Sequence, residues 1–532
     1  MNASSSQRLL CLWLRRLSTD RVVRRRLVTS RETALTAPLA ISGKRSNAEL
    51  LVAIDDAAEK RGLHTGLALA QARAMHPALD VLPEDVEADA TLLESIADWC
   101  LRYTPLVACD APDGLVLDIT GCTHLYGGER QLIADLAGRL ERAGFAYRIA
   151  IAGTIGAAWA AAHHGTAASY ANGDERKILC PLPLAALRLP SSTVASLARV
   201  GLKRIGDIID LPRSPLTARF GTELLRQLDR ALGREHEPLT PRLPVAPYVA
   251  EQRFPEPIGR EEDVLGTVER LAARLAFALE RRGDGARRIE LTLFRTDGEV
   301  RRLAAGTSRP LRDPRSIRAL FAERLAALAD ALDPGFGFDM ARLSVMVAEP
   351  CPPEQIGIGN AEDCAEMDRL VDRLSARLGA QRVRRLIAQD SYIPEIAAVS
   401  VPAQTNIDDG WSAFHRHRAE AELAPRPLRL LARPEAIEAV AEVPDGPPLR
   451  FRWRRALHEV IAAEGPERIE GTWWGEPGEQ SSFASFEKSA RDYFRVEDQM
   501  GLRFWLFRAG LYRDFVPGMS SPPSWFVHGS FG

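Results

Sequence analysis

Residues 107-VACDAPDGLVLDITG-121 constrain the fold more than any other stretch. Val107 to Cys109 and Leu115 to Ile119 read as strands, and Asp110-Ala-Pro-Asp-Gly114 between them has turn chemistry. Helical periodicity lies on both sides, over 87–104 and over 129-ERQLIADLAGRLERAG-144, which a glycine closes. A hairpin embedded among helices calls for a layered sheet-and-helix domain. The apolar run 9-LLCLWL-14 supplies a first strand, and 147-YRIAIAG-153 another that leads into 156-GAAWAAAHHG-165. Helical patterns are expected over 45–62 and 66–77. Residues 1–175 are therefore read as an α+β domain built on one mixed sheet.

A chain of 532 residues is too long for one core, so further domains follow. Residues 176–240 carry helical signals with short breaks. Residues 245–350 read as strand, helix (263–282), two strands (287–295 and 299–305), helix (314–333) and strand (341–348), a β-α-β-β-α-β unit. Residues 351–389 hold the end of a Pro/Gly-rich linker, 349-EPCPPEQIGIGNAEDC-364, and a helix at 365–379. Residues 390–532 differ in composition: six of the nine tryptophans lie beyond residue 410, among short strands and Gly/Pro turns. Tyr493 to Glu497 and Arg503 to Arg508 read as a hairpin in this small β-rich domain. Trp473, Trp474, Trp505 and Trp525 are read as its core rather than as a stacking platform.

Charge narrows the function classes. With 69 Lys plus Arg against 71 Asp plus Glu, the chain is no uniformly basic nucleic-acid coat, although a basic face remains compatible. The seven cysteines (Cys11, Cys100, Cys109, Cys122, Cys180, Cys351 and Cys364) are scattered and lack a C-x-x-C pair, which points to a reducing compartment and away from zinc. No H-E-x-x-H is present, and His163-His164 and His415/His417 are read as core or solvated histidines. No apolar run reaches the roughly 18 residues of a membrane span. Arginines near the N-terminus faintly suggest a transit peptide, but 9-LLCLWL-14 reads better as a buried strand, so a cytoplasmic protein is expected.

One local motif carries chemistry by itself. In 201-GLKRIG-206, Gly201 and Gly206 bracket a tight hairpin between helices. Exposed backbone N–H groups and the following helix N-terminus suit a DNA phosphate, and Lys203 and Arg204 add full charges. Such contact is salt-sensitive and blind to sequence. Arg288 and Arg295 in the β-α-β-β-α-β unit are candidate backbone contacts of the same kind.

The order of parts resembles the Y-family translesion DNA polymerases: palm with fingers, thumb, little finger. The resemblance spans residues 7–350 and is carried by 110-DAPDGLVLDITG-121, 54-IDDAAEKRGLHTGLALAQA-72, 147-YRIAIAGTIGAAWA-160 and the glycine hairpin. More closely, 8-RLLCLWLRRLSTDR-21, the phrase APDGLVLDITG, 491-RDYFRVEDQMGLRFWLFRAGLY-512 and 525-WFVHG-529 resemble the ImuB family, the polymerase-like (UmuC/DinB-like) members of the bacterial mutagenesis cassette.

That resemblance implies a site built for two metal ions on three acids. Here the first-strand aspartate falls on Trp13, the hairpin aspartate is matched by Asp113, and its glutamate partner falls on Gly114. The triphosphate-holding Tyr and Arg fall on Asp56 and Glu59, the steric-gate aromatic on Ser18, and the lysine positions on Ile155 and Trp159. Asp118, five residues from Asp113, is expected on the opposite sheet face. No catalytic or metal-binding residue is therefore expected, nor a cofactor; magnesium would be needed only by the alternative, an active polymerase with relocated ligands. The reading is a non-catalytic adaptor for DNA repair and damage-induced (SOS) mutagenesis. Its implied partners are template-primer DNA, the replicase sliding clamp, ImuA and an error-prone C-family polymerase subunit. In the linker, Gln355, Ile356 and Ile358 of QIGIG are the candidate clamp-binding peptide, and the C-terminal domain is the candidate partner dock. A scaffold without DNA contact is a third reading, against which the glycine hairpin speaks.

Overall fold

Leu9-Leu-Cys-Leu-Trp13 forms the central strand because it is apolar on both sides and has a layer to bury on each. The computed structural model describes residues 7–29, 37–45, 48–328, 333–352, 361–407, 411, 425–442, 445–470, 490–510 and 523–531. The chain divides into two compact units, Met1–Gly379 and Ala380–Gly532.

The first unit opens with β1 (Leu9–Trp13) and α1 (Leu17–Thr29). β2 (Leu39–Arg45), β3 (Ala48–Ile54), α2 (Asp56–Lys60), α3 (Leu69–Met75) and β4 (Asp80–Pro83) make the small fingers layer. The helix expected over 45–62 is instead β3 and the short α2. The run Leu50-Leu-Val-Ala-Ile54 suits a strand equally well, and antiparallel pairing with β2 decides it. The side chain of Asp55 caps α2 by accepting from Ala58 N at 2.8 Å.

α4 (Val86–Cys100), β5 (Val107–Asp110), β6 (Gly114–Asp118), α5 (Glu129–Arg142), β7 (Arg148–Ala152) and α6 (Ile155–His164) complete the palm. Its sheet has the order β5-β6-β1-β7, and every pairing in it is antiparallel. The single mixed sheet expected from sequence is thus two sheets; the parallel pairing lies in the fingers, between β2 and β4. Leu10, Leu12 and Leu14 face Leu93, Ile96, Leu132 and Leu136 of α4 and α5. Leu9 and Cys11 face α6 and the thumb. Alternation along one five-residue strand therefore serves two cores.

The thumb comprises α7 (Glu175–Leu179), α8 (Ser191–Arg199), α9 (Arg213–Phe220) and α10 (Thr222–Ala231) with intervening 3-10 turns. β8 (Tyr248–Ile258), α11 (Glu261–Arg282), β9 (Asp284–Arg295), β10 (Val300–Leu311), α12 (Pro314–Leu328) and β11 (Phe338–Pro350) form the little finger, with sheet order β10-β9-β11-β8. One sheet face packs Ile289, Leu291 and Leu293 under α11 and α12. From the same sheet, Phe294 and Met340 enter the palm core beside Trp99 and Tyr103. Around them Asp339 receives Arg102 at 2.8 Å and Arg139 at 2.7 Å, and Arg342 donates to the Leu101 carbonyl at 2.6 Å. α13 (Ala361–Leu378) packs on β10 and α12.

The second unit holds a hairpin of β12 (Arg384–Ala388) and β13 (Ala398–Pro402), then β14 (Arg429–Ala441), β15 (Pro448–Trp453), β16 (Ala456–Ile469), β17 (Arg491–Asp498), β18 (Arg503–Ala509) and β19 (Ser524–Ser530). The last six strands close into a barrel, β14 pairing with β19. Trp505 and Trp525 are buried in this unit; Trp473 and Trp474 lie outside the described residues. Among the described residues no helix is long and apolar enough to cross a membrane.

Asp339 joins little finger to palm through two arginines, one of them only 4% exposed. Asp339→Ala strands both cations and is expected to cost about 3 kcal/mol or more in urea unfolding. Asp210→Ala, which breaks an exposed pair with Arg176, is expected to leave the urea midpoint nearly unchanged.

Candidate active-site region of the palm

Trp13 ends β1 directly opposite Gly114, the first residue of β6. Its indole Nε1–H donates to Asp113 Oδ2 at 3.0 Å. α6 starts where Thr154 Oγ1 accepts from Ala157 N at 3.1 Å, and it carries Trp159 and His163 one turn apart. The His163 ring stacks on Trp159 with centroids 3.7 Å apart, and on Trp13 with centroids 4.3 Å apart. Three parallel rings therefore fill the end of the palm sheet. His163 Nδ1 lies 2.9 Å from the Trp159 carbonyl, and a carbonyl only accepts, so Nδ1 carries the proton. Burial lowers the His163 pKa from 6.5 to about 4, so the ring is neutral at pH 7.

Asp110, at the other end of the turn, has the Trp159 side chain near it, which opposes the rise that burial gives its pKa. Burial pushes both carboxyls above the ordinary carboxylate range; for Asp113 the Trp13 hydrogen bond opposes the rise and the charge of Asp110 adds to it. Two acids thus flank one turn, and Asp113 has an indole donor.

A two-metal centre needs clustered carboxylate oxygens with free lone pairs and room for waters. The residues here do not fit one. Trp13 and Gly114 offer no carboxylate, Asp113 is engaged by an indole, and three rings stack beside it. Nor does position 114 accept a side chain: a Cβ there would lie 2.9 Å from the Asp110 carbonyl oxygen. Among the described residues no group of three His, Cys, Asp or Glu side chains is placed to hold a metal. Asp118 is not on the opposite face as expected. Leu9 pairs with Asp118 as Trp13 pairs with Gly114, so both positions share one sheet face. The two-residue period does not run through the turn that holds Asp113. Asp118 instead lies four residues further along β6, about 13 Å away, where it accepts from Thr120 N at 2.9 Å and Gln7 at 3.2 Å.

The fingers carry their own anions. Asp56 pairs with Lys60 at 2.5 Å and with Arg16 at 3.1 Å. Glu59 pairs with Arg16 and, at 3.2 Å, with Arg15. Both arginines follow β1, so carboxylates of the fingers lie where the resemblance places a triphosphate. Ser18 donates to Asp89 at 2.6 Å, and Ile155 is buried.

The glycine hairpin differs from its sequence reading in one respect. Gly201 has φ +87°, and Lys203 and Arg204 are exposed at the tip. The tip amides, however, have acceptors. Lys203 N and Arg204 N donate to Asp207 at 2.9 and 2.8 Å, Ile205 N to the Leu182 carbonyl, and Gly206 N to the Cys180 carbonyl at 3.0 Å. The element that follows is a single 3-10 turn, Ile205–Asp207. The charges of Lys203 and Arg204, not free amides, face solvent. Arg288 is exposed on β9. Arg295 is enclosed by Asp297 at 2.5 Å, Glu299 at 2.5 Å and Asp333 at 3.3 Å, and is 12% exposed. Gln355, Ile356 and Ile358 lie outside the described residues.

Sequence reasoning read Asp110 only as a turn residue and His163 only as a core or solvated histidine, and assigned neither to the palm site. The signal for His163 was its four-residue spacing from Trp159, which puts both on one helix face.

Two family models match the chain: the impB/mucB/samB family over residues 27–163, and its C-terminal domain over 247–359. Protein ImuB of Caulobacter vibrioides (strain NA1000 / CB15N) is 40% identical over 478 residues, spanning 88% of this chain and 100% of that protein. DNA polymerase IV of Dehalococcoides mccartyi (strain CBDB1) is 22% identical over 363 residues, 65% of this chain and 90% of that one. Among solved structures, DinB from Sulfolobus solfataricus aligns with 64% of this chain and 99% of its own, at 13% identity and a TM-score of 0.37.

Two outcomes follow from the ring stack. Trp13→Asp with Gly114→Glu is expected to give no magnesium-dependent primer extension and to lower stability by about 3 kcal/mol or more, since a large side chain is lost and a Cβ collides. The lowered pKa of His163 means stability is held above pH 6.5 and lost as pH falls towards about 4. In urea unfolding at pH 7 and pH 5, His163→Phe is expected to lose less stability than the parent protein.

Proposed function

From the premise that this chain belongs to the ImuB family of Y-family polymerase homologues, we propose a non-catalytic adaptor for translesion synthesis in DNA repair and damage-induced mutagenesis. It holds template-primer DNA while another polymerase extends the primer. The observation that carries this reading is the palm: two indoles and an imidazole stack at the end of its sheet, and the Trp13 N–H binds Asp113. A metal-free palm has no means of stabilising the charge that develops in phosphoryl transfer. Arg15 and Arg16, cations that could meet an incoming triphosphate, are occupied by Asp56 and Glu59.

DNA contact in this reading is electrostatic. Lys203 and Arg204 at the thumb tip and Arg288 on the little finger meet phosphates, without regard to sequence. The sliding clamp engages the linker through Gln355, Ile356 and Ile358. The C-terminal unit recruits ImuA and an error-prone C-family polymerase subunit, its aromatic core giving the dock a rigid base. No cofactor is required.

Fluorescence anisotropy on a primed template, from 50 to 200 mM salt, tests the reading. The expected result is binding that weakens with salt. Lys203→Ala and Arg204→Ala should each lower the log–log slope by about one. Binding that ignores salt, or a slope untouched by both changes, contradicts the thumb assignment.

A further inference from the structure

α13 is mounted with its leucines outward. An amphipathic helix on a domain surface normally turns its apolar stripe to the core. In α13 the side chains buried against the little finger are Asp372, Ser375 and Ala376, with the first two only 8% and 5% exposed. Met367, Leu370, Leu374 and Leu378, spaced along one face, are 38–59% exposed.

Polar contacts fix this orientation. Asp372 accepts from Ser308 N at 2.6 Å and from Ser308 Oγ at 2.7 Å, beside the irregularity in β10. Asp368 pairs with Arg309 at 2.5 Å. Arg373 donates to Glu323 of α12 at 2.6 Å, and Arg377 lies 3.5 Å from the same carboxylate. Burying the leucines would need a turn of about 120° around the helix axis, at 100° per residue, and would break every one of these contacts.

We infer that the Met367–Leu370–Leu374–Leu378 stripe is a docking surface for an acidic amphipathic helix of a partner protein. The stripe spans about 16 Å, three turns of a helix, which suits a helix laid along it by spaced apolar anchors. The charge beside it selects the partner. Arg369, Arg373 and Arg377 form a row along one edge, begun by Glu366. Glu323 lies beneath at 16% exposure, while Arg373 and Arg377 stand above it at 60% and 62%. What an approaching helix meets there is mainly guanidinium. A second copy of this chain packed antiparallel across a two-fold axis would set one arginine row against the other, which repels. The inference uses neither the palm nor DNA, so its failure leaves the adaptor reading standing.

The test uses the full chain and a fluorescent 18-residue helical peptide with leucines at heptad positions and glutamates flanking them. A peptide with lysines for glutamates is the control. The glutamate peptide is expected to bind at micromolar concentration, at least tenfold more tightly than the lysine peptide. Leu370→Ser with Leu374→Ser should weaken it at least tenfold, and Arg369→Glu should narrow the preference for the glutamate peptide. All three side chains are exposed, so an unchanged melting temperature shows that the fold is intact. Absent saturable binding, equal binding of both peptides, or indifference to these changes overturns the inference. So does a concentration-dependent dimer in sedimentation velocity that Leu370→Ser with Leu374→Ser abolishes.

Discussion

The hydrogen bond from Trp13 to Asp113 organises the palm. In a metal-dependent active site, cations pay for bringing carboxylates together. Here a neutral donor, the indole of Trp13, does part of that work at Asp113. Burial raises the pKa of both Asp110 and Asp113, and the charge of Asp110 adds to the rise at Asp113. The three stacked rings add aromatic contacts worth about 0.5–1.5 kcal/mol a pair. The result is a cohesive aromatic cluster at the end of the palm sheet. Gly114 belongs to this arrangement, because its missing side chain lets the turn close on the Asp110 carbonyl.

The same logic extends outward. Asp56 and Glu59 on the fingers are held by arginines that leave β1, so internal ion pairs tie the fingers to the end of the central strand. The little finger enters the palm core with Phe294 and Met340 and is oriented by the buried Arg102–Asp339–Arg139 group. Buried ion pairs contribute little net stability but penalise misplacement strongly. They set the angle of the little finger on the palm rather than simply adhering it.

Much of this architecture was legible because local pattern and tertiary context agree. The central strand, the hairpin, the β-α-β-β-α-β unit and the β-rich C-terminal end all follow from periodicity and turn residues. Residues 48–54 misled because a continuous apolar run has no period of its own. Closure of the barrel depends on β14 meeting β19, about ninety residues later, and no local signal encodes that. At the palm, Trp13 and Gly114 were visible as letters. The ring stack was not, since it depends on α6 crossing the end of β1, which brings His163 between Trp13 and Trp159. The outward leucines of α13 were hidden for a related reason. A leucine stripe reads as core, and only the contacts of Asp372 and Asp368 reveal that the helix is turned.

The central claim is that this palm holds no catalytic metal. Manganese titration followed by electron paramagnetic resonance, with a primed template and nucleotide present, tests it most directly. The account predicts that the manganese spectrum of the protein matches that of an Asp113→Ala variant at every ratio. A bound-ion signal that saturates at one or two per chain and disappears with Asp113→Ala would contradict it.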